Sequence, residues 1–374
     1  MHVMDACVSH GVLIVDLTDK GTTFKLAAEL AKMWDTVGGF FAALDLDPDL
    51  EKFLPEMASI PASPFAKVGY ANYDNGMQFL ETRLSRDQSG ILPSQARGVL
   101  GNDGERVLAS VFRTIAEVGK DVVRIVTAAS TMEYDGFEGE GPSVSGLAFV
   151  GDEELGSDDG MAEIKASQAA TLLANELVDD GIPLASSTEE QSSVSMSPHR
   201  LCRYRNGKDD VPKEIFGAHT DSSFVTIVPV AAVSGLEVYD EAAEQWYRPE
   251  VMARLQWQLE RVAKGEDKDA MYETIPSTSN NEEDITLPWH ARYILVLPGE
   301  FLQIVTRNEV PAAVHRVVAG GPARLSAPIL LRGRAGVRLD VPKYLGEINT
   351  DLLEEVDSMY MQQIHDAMQP SSFQ

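Results

Sequence analysis

The chain has 374 residues, of which 44% are hydrophobic and 24% are charged. These values are typical of a globular protein that can bury a substantial core. Its 58 Asp and Glu residues outnumber its 31 Lys and Arg residues and give a formal net charge of −27 at pH 7. Such an acidic surface repels phosphate groups, so we expect neither nucleic acids nor anionic membranes as partners.

Two cysteines, Cys7 and Cys202, are too few for a disulfide framework or a Cys-rich zinc site. No stretch is apolar for long enough to span a bilayer. The segment from Met1 to Val12 has neither the basic start nor the apolar run of a signal peptide. We therefore expect a cytoplasmic protein in a reducing compartment.

The sequence of residues 1–135 predicts a cap of mixed helices and strands. The apolar run Gly11–Asp16 predicts a strand, and the helical spacing of apolar residues predicts a helix over Thr22–Val37. Gly39–Leu44 is interpreted as the next strand. The long amphipathic pattern of Asp103–Ala129 predicts a helix with one buried stripe.

Residues 136–198 differ from the cap in composition. The acidic stretch Glu133–Glu163 contains no Lys or Arg and predicts a surface loop, with one short strand over Leu147–Val150. A helix is predicted around Ala166–Leu177. The Ser-rich segment Thr188–Pro198 predicts a linker or mobile loop.

Residues 199–340 predict an all-β body, because short apolar runs alternate with Gly and Pro. The predicted strands are Leu201–Tyr204, Phe224–Val230, Leu236–Tyr239, Trp246–Arg248, Tyr293–Leu297, Phe301–Thr306, Ala313–Val318 and Leu325–Leu331. Many short strands of this kind favour a double-sheet jelly roll.

Two further segments complete the predicted organisation. Residues 250–290 are interpreted as an insertion, made of a helix over Val251–Gly265 and the polar segment Pro276–Asp284. In residues 341–374, Asp351–Met368 predicts a closing helix. The fold class is thus mainly β with flanking helices.

Three residues predict a metal site. His219 and Asp221 are two residues apart, so in a strand their side chains point the same way. His315 lies in a second strand-like segment and supplies a third ligand. Two histidines and one carboxylate on one face leave coordination positions open, as in non-haem iron oxygenases. A lone H-x-D pair is weak on its own, because this composition gives about one by chance.

The residues after His315 strengthen this interpretation. Arg324 and Ser326 follow it at nine and eleven residues. A guanidinium offers a planar fork of donors and a serine offers a hydroxyl, which together suit a buried carboxylate.

The segment from His219 to Arg332 resembles the isopenicillin N synthase-like family of 2-oxoglutarate/iron(II)-dependent dioxygenases. The matching stretches are His219–Asp221, Gly235–Val238, Leu297–Gln303, His315–Val317 and Arg324–Ser326, with looser matches at Gly11–Asp16, Trp34–Phe41 and Leu201–Tyr204.

The resemblance implies a distorted double-stranded β-helix with an N-terminal α/β cap. It implies iron(II) held by His219, Asp221 and His315, and 2-oxoglutarate held by Arg324 and Ser326, with dioxygen as the other cosubstrate. Tyr204 matches a tyrosine that often faces the active site, and the resemblance implies that it also contacts 2-oxoglutarate. The implied reaction oxidises a C–H bond of a small organic molecule by hydroxylation, desaturation or cyclisation, and releases succinate and CO2.

The sequence departs from the family pattern in two places. Cys202 stands where the family usually has an asparagine, which puts one cosubstrate contact in doubt. The insertion lengthens the gap between Asp221 and His315, and either a lid or a surface elaboration would explain it.

Two alternatives stay open. An iron oxygenase of the same fold can use the Arg-x-Ser pair for the carboxylate of its own substrate and need no 2-oxoglutarate. A non-catalytic metal- or ligand-binding jelly roll would need neither cosubstrate nor turnover.

Overall fold

A computed structural model describes residues 3–17, 22–87, 90–134, 158–184, 193–205, 212–275 and 285–368. The predicted strand Leu147–Val150, most of the acidic loop and the polar segment Pro276–Asp284 lie outside these ranges. Within them, no helix combines the length and apolar character that crossing a membrane requires.

Sixteen strands are defined in the described residues. They are β1 (Leu13–Asp16), β2 (Ala58–Ile60), β3 (Ser63–Asn72), β4 (Met77–Ser85), β5 (Ile91–Leu92), β6 (Val194–Tyr204), β7 (Lys213–His219), β8 (Val225–Pro229), β9 (Leu236–Asp240), β10 (Gln245–Tyr247), β11 (Tyr272–Ile275), β12 (Ile285–Pro288), β13 (Tyr293–Pro298), β14 (His315–Ala319), β15 (Arg324–Ser326) and β16 (Ile329–Leu331).

These strands form a double-stranded β-helix, or jelly roll. The larger sheet has the order β1-β13-β8-β16-β6-β4-β3-β2, with β15 also pairing β6 and β5 pairing β4. The smaller sheet has the order β10-β9-β14-β7, and β11 pairs with β12 in a separate hairpin. All of the pairings within these sheets are antiparallel. The predicted fold class is confirmed.

The helices surround this core. They are α1 (Val3–His10), α2 (Thr22–Leu46), α3 (Arg97–Tyr134), α4 (Asp158–Leu177), α5 (Pro249–Lys264), α6 (Glu300–Val305), α7 (Val341–Leu345), α8 (Asp351–Val356) and α9 (Met361–Met368). Helix α3 lies close against the larger sheet, because a Cβ at Gly119 would come within 2.2 Å of Leu331 and 2.8 Å of Ile227. This contact buries the outer face of the sheet and leaves its inner face toward the smaller sheet.

The predicted strand Gly39–Leu44 is wrong, because these residues continue α2. Phe40, Phe41 and Leu44 are buried at helical spacing and extend the apolar stripe of the preceding turns. Gly38 and Gly39 have no atom within 4 Å of an added Cβ. The glycines therefore lie on the outer surface of the helix, and Gly39 does not begin a strand as predicted.

Three other predicted elements also differ. Phe301–Thr306 is not a strand, because α6 occupies Glu300–Val305. The described part of the predicted Ser-rich linker, from Val194 onward, begins β6. The predicted closing helix is split into α8 and α9, with a positive φ of 63° at Ser358 between them. In Phe301–Thr306 and the closing helix the apolar residues were recognised, but packing rather than local pattern decided the conformation, whereas in the Ser-rich segment the strand itself was missed.

Helix boundaries also moved. Helix α4 begins at Asp158, inside the stretch predicted as an acidic loop. Helix α3 is longer than the predicted Asp103–Ala129 and contains a non-helical residue, Gly101. The predicted insertion helix is confirmed as α5, whereas the α1 helix and the β11–β12 hairpin were not predicted.

Candidate metal centre and anion-binding cavity

The structure brings His219, Asp221 and His315 together. His219 ends β7, His315 begins β14, and the two are register partners across this antiparallel pair. Asp221 lies two residues beyond β7, in a bend rather than in the strand that the sequence suggested. One ligand atom from each residue lies within 4.8 Å of the others. The three side chains therefore form a possible metal site.

Both imidazoles present Nε2 to the centre. Nδ1 of His219 lies 2.8 Å from the Gly217 carbonyl, and Nδ1 of His315 lies 3.0 Å from the Ala313 carbonyl. Because a carbonyl oxygen only accepts, each Nδ1 carries a proton, and in the neutral imidazole Nε2 then has the lone pair that can bind a metal. The Nε2 atoms of His219 and His315 lie 3.8 Å and 3.5 Å from the Asp221 carboxylate.

A short hydrogen bond orients the carboxylate. The Thr226 hydroxyl donates to Oδ2 of Asp221 at 2.6 Å. Because Thr226 lies within β8 and is buried, this donor is fixed by the larger sheet. Support of this kind commonly controls the affinity of a metal site.

Helix α6 holds the backbone of the bend that carries Asp221. The N–H groups of Glu300 and Phe301 donate to the carbonyls of Asp221 and Ser223, each at 2.9 Å. A Cβ at Gly299 would meet the Ser223 carbonyl oxygen at 2.2 Å. Gly299 and the start of α6, both within the stretch Leu297–Gln303, therefore fix the bend.

The charge states of the centre suit a metal ion. Burial, together with repulsion from His315, lowers the pKa of His219 to about 4. Burial alone would raise the pKa of Asp221, but His315, His219 and the Thr226 hydrogen bond hold it below its usual value. At neutral pH, His219 is neutral and Asp221 is ionised, which are the forms that bind metal.

The three residues predicted to hold 2-oxoglutarate line the same cavity as the metal triad. Arg324 and Ser326 in β15 are register partners of Tyr204 and Cys202 in β6. Arg324, Ser326 and Tyr204 are all buried, and the cavity has a volume of about 50 Å³. The Arg324 guanidinium lies 5.4 Å from the centre of the Tyr204 ring.

Arg324 has a partner that the sequence did not reveal. Oε1 of Glu250 accepts from Nη2 of Arg324 at 2.7 Å, and each side chain is 1% exposed. Oε2 of Glu250 accepts from the N–H groups of Gly235 and Leu236 at 2.7 and 3.1 Å. Nε and Nη1 of Arg324 have no hydrogen-bond partner in the described part of the chain. The pair thus fixes Arg324 and leaves two donors available.

This contact also explains two features of the sequence. A Cβ at Gly235 would lie 2.4 Å from the Val318 carbonyl oxygen and 2.6 Å from Cδ of Arg324, so glycine is needed there. Glu250 is the second residue of α5 and stands where the predicted insertion begins. The start of the insertion therefore holds Arg324, which lines the cavity.

Cys202 is buried and shares a hydrogen bond with Tyr204. A thiol is a weak hydrogen-bonding group, so it cannot replace both the donor and the acceptor of an asparagine amide. Cys202 therefore cannot make the whole of the cosubstrate contact that an asparagine would make.

Gln303 lies outside the cavity. Its side-chain oxygen accepts from the Ala312 N–H at 3.1 Å and so supports the segment just before His315.

Sequence reasoning missed Glu250, Thr226 and Arg200. Arg200 lines the same cavity. The period-2 pattern of β6 could have found Arg200, because it lies two and four residues before Cys202 and Tyr204. Nothing local marks Glu250 or Thr226, whose roles depend on distant contacts.

A larger cavity of about 370 Å³ lies elsewhere, between α2, the β11–β12 hairpin and β15. Trp34, His290 and Leu325 are among its lining residues. Leu325 alternates with Arg324 and Ser326 along β15, so it faces away from the metal triad. The larger cavity contains none of the predicted site residues.

Comparisons with known proteins show the fold. No protein-family model matches the sequence, and no curated protein matches it. The structure of a full-length Neurospora crassa protein in complex with alpha-KG aligns with a TM-score of 0.54 and 13% identity, covering 98% of this chain and 88% of that one. The same protein with alpha-KG and thymine gives a TM-score of 0.54 and 13% identity, covering 98% and 90%.

A Caulobacter crescentus structure described as a 2OG-Fe(II) oxygenase family protein gives a TM-score of 0.50 and 15% identity, covering 98% of this chain and 91% of that one. The chain therefore has the fold of these oxygenases over nearly its whole length. Identities this low establish fold and not activity.

Proposed function

We propose that this protein is a 2-oxoglutarate-dependent, non-haem iron(II) dioxygenase that oxidises a C–H bond of a small organic substrate. The observation that carries the proposal is the convergence of His219, Asp221 and His315 on a cavity that also contains Arg324. The oxygenase fold and the alpha-KG bound in the Neurospora crassa structure support it.

The donor set fits iron(II). Two neutral imidazoles and one carboxylate are the facial triad that leaves positions open for other ligands. Bound iron(II) would supply, together with 2-oxoglutarate and dioxygen, the oxidising chemistry that no side chain has, with succinate and CO2 as the products of the cosubstrate. His219, Asp221 and His315 would hold the metal, and Thr226 would keep the carboxylate oriented.

The unpartnered donors of Arg324 fit a carboxylate. Nε and Nη1 are buried without hydrogen bonds among the described residues, which costs free energy unless a ligand accepts from them. Arg324 would bind the outer carboxylate of 2-oxoglutarate, Ser326 would donate its hydroxyl, and Tyr204 would close the cavity below the guanidinium. Hydroxylation, desaturation and cyclisation stay equally open.

One observation favours a second candidate. Because Glu250 already neutralises Arg324, the pair carries no net charge with which to attract a dianion. An iron oxygenase of the same fold that needs no 2-oxoglutarate would place only a singly charged carboxylate beside this neutral pair. In that case Arg324 and Ser326 would hold the carboxylate of the substrate.

An anaerobic titration separates these functions. Iron(II) and then 2-oxoglutarate are added to the purified apo-protein, and the weak visible charge-transfer band of the chelate is recorded. We expect the band in the wild type, its loss in His219→Ala, and about 10- to 100-fold weaker 2-oxoglutarate binding in Arg324→Ala. Arg316→Ala is the control, because Arg316 pairs with Glu237 outside the cavity.

Each outcome has a distinct meaning. Iron binding without a band would contradict use of 2-oxoglutarate and favour the second candidate. No iron binding would contradict both and favour a non-catalytic jelly roll. The cytoplasmic location and the expected lack of nucleic-acid or membrane partners stay predictions.

A further inference from the structure

The guanidinium group of Arg200, in β6, is a second positive charge that faces the cavity, at a distance from Arg324. Arg200, Cys202 and Tyr204 alternate along this strand and all line the cavity. Four residues of a strand span about 13 Å, so Arg200 and the Tyr204–Arg324 pair mark two ends of one strand face. Arg200 lies near the metal triad, because its charge acts on the Asp221 carboxylate.

Arg200 has donors to spare. Its Nε donates to Oε2 of Glu81 at 2.6 Å, and its side chain is 26% exposed. No other hydrogen bond of this guanidinium occurs within the described ranges. The edge formed by Nη1 and Nη2 is therefore free. Its flat, two-pronged geometry matches a planar carboxylate.

The surroundings of Arg200 carry excess positive charge. Three guanidinium groups act on the Glu81 carboxylate, and they are those of Arg200, Arg83 and Arg332. Asp179 acts on Arg83 but is itself paired with another arginine. The Asp221 carboxylate acts on both Arg200 and Arg332, so two carboxylates, Glu81 and Asp221, face three guanidinium groups. Such an excess is costly inside a protein unless an anion balances it. It also contrasts with the net charge of −27 of the whole chain.

The other two arginines cannot serve a ligand in the cavity. Arg83 donates to Glu81 at 2.7 Å and to the carbonyls of Lys67 at 2.9 Å, Ser195 at 3.4 Å and Met196. These bonds use all of its nitrogens for structure.

Arg332 is 5% exposed and does not line the cavity. Burial, together with repulsion from Arg83, lowers its pKa to about 9. Arg332 therefore adds positive electrostatic potential but cannot contact a ligand in the cavity. Arg200 lines the cavity and can contact a ligand directly.

We propose that Arg200 binds the carboxylate of the oxidised substrate, so that the enzyme acts on a small carboxylic acid with an apolar body. The apolar body would lie against Met77, Phe216 and Leu330, which line the same cavity. This inference rests on the proposed function, because Arg324 must be the separate anchor of the cosubstrate.

The test uses anaerobic protein loaded with iron(II) and 2-oxoglutarate. Benzoate, phenylacetate, cinnamate and hexanoate are each compared with the primary amide of the same acid. Binding is followed by calorimetry and by perturbation of the visible chelate band. We expect the carboxylates to bind at least about 10-fold more tightly than their amides.

The variants assign that preference to one residue. Arg200→Gln should weaken carboxylate binding by about 10- to 100-fold, and Arg200→Lys should restore part of it. Binding of 2-oxoglutarate should change by less than about threefold. Arg205→Gln is the control, because Arg205 follows the same strand but pairs with Asp45, with a side chain 45% exposed.

Three results would overturn the inference. Amides that bind as well as the acids would exclude an anionic substrate. Equal carboxylate binding by the wild type and Arg200→Gln would exclude Arg200. A large loss of 2-oxoglutarate affinity in Arg200→Gln would make Arg200 a cosubstrate anchor. Failure of the proposed function is recognised separately, because the wild type would then form no chelate band.

Discussion

Removing the negative charge of Glu250 should destabilise the fold and make 2-oxoglutarate a stronger stabiliser. In Glu250→Gln, the amide oxygen can still accept from Gly235 and Leu236, but Arg324 keeps a buried charge without a counter-charge. Breaking a buried ion pair by removing one partner costs about 3–5 kcal/mol. We expect a loss of this size in the free energy of unfolding of the metal-free protein.

Equilibrium unfolding in urea measures the loss. With a slope of about 3 kcal/mol per molar urea, the midpoint should fall by about 1–2 M. Glu266→Gln is the matched control, because Glu266 pairs with Arg261 of the same helix but is 43% exposed. An exposed pair contributes about 0–1 kcal/mol, so the control should unfold close to the wild type.

The cosubstrate supplies the second half of this experiment. In Glu250→Gln, a bound carboxylate would restore the counter-charge of Arg324. Saturating 2-oxoglutarate should therefore raise the unfolding free energy of the variant more than that of the wild type. A variant within about 1 kcal/mol of the wild type would refute the reasoning about the pair. Equal stabilisation of both proteins by 2-oxoglutarate would refute the role of Arg324.

Thr226→Val should weaken metal binding about 10- to 100-fold by freeing the Asp221 carboxylate, as measured by anaerobic iron(II) titration, and an unchanged affinity would contradict the role of the hydroxyl. Gly119→Ala should cost about 1–3 kcal/mol because its Cβ collides with the larger sheet, whereas Gly38→Ala in open helix should add about 0.5–1 kcal/mol, both measured by thermal unfolding. Burial lowers the pKa of His290 to about 4, so the unfolded chain takes up a proton there first as the pH falls. The contribution of His290 to the unfolding free energy should be complete above about pH 6.5 and fall by about 1.4 kcal/mol per pH unit toward pH 4, and His290→Gln should remove this part of the measured slope.

The sequence predicted those parts of the site that lie in short segments of fixed spacing. His219 with Asp221 and Arg324 with Ser326 each lie two residues apart, and the second pair lies in β15, one residue before the start of the predicted strand at Leu325. Asp221 is not in a strand. A bend held by α6 brings it to the same place, so the residues were predicted for a reason that is only half correct.

The remainder depends on contacts between distant segments. Glu250 reaches Arg324 across 74 positions of the chain, and no local pattern distinguishes it from the other acidic residues. Phe301 illustrates the same limit for the fold. Its apolar run suits a strand or a short helix equally well, and bonds to the bend at Asp221 select the helix.

The direct pairing of His219 with His315 has a consequence for how this chain tolerates change. Their separation is set by hydrogen bonds between β7 and β14, not by the segment that connects them. Residues added or deleted within that connection, such as those after α5, would leave the two imidazoles at the same separation. A slip of one residue between the strands would instead turn one imidazole to the opposite face. The metal centre thus tolerates insertions in the connecting segment but not a change in the register of β7 and β14. New specificities could therefore arise by exchange of the connecting segments.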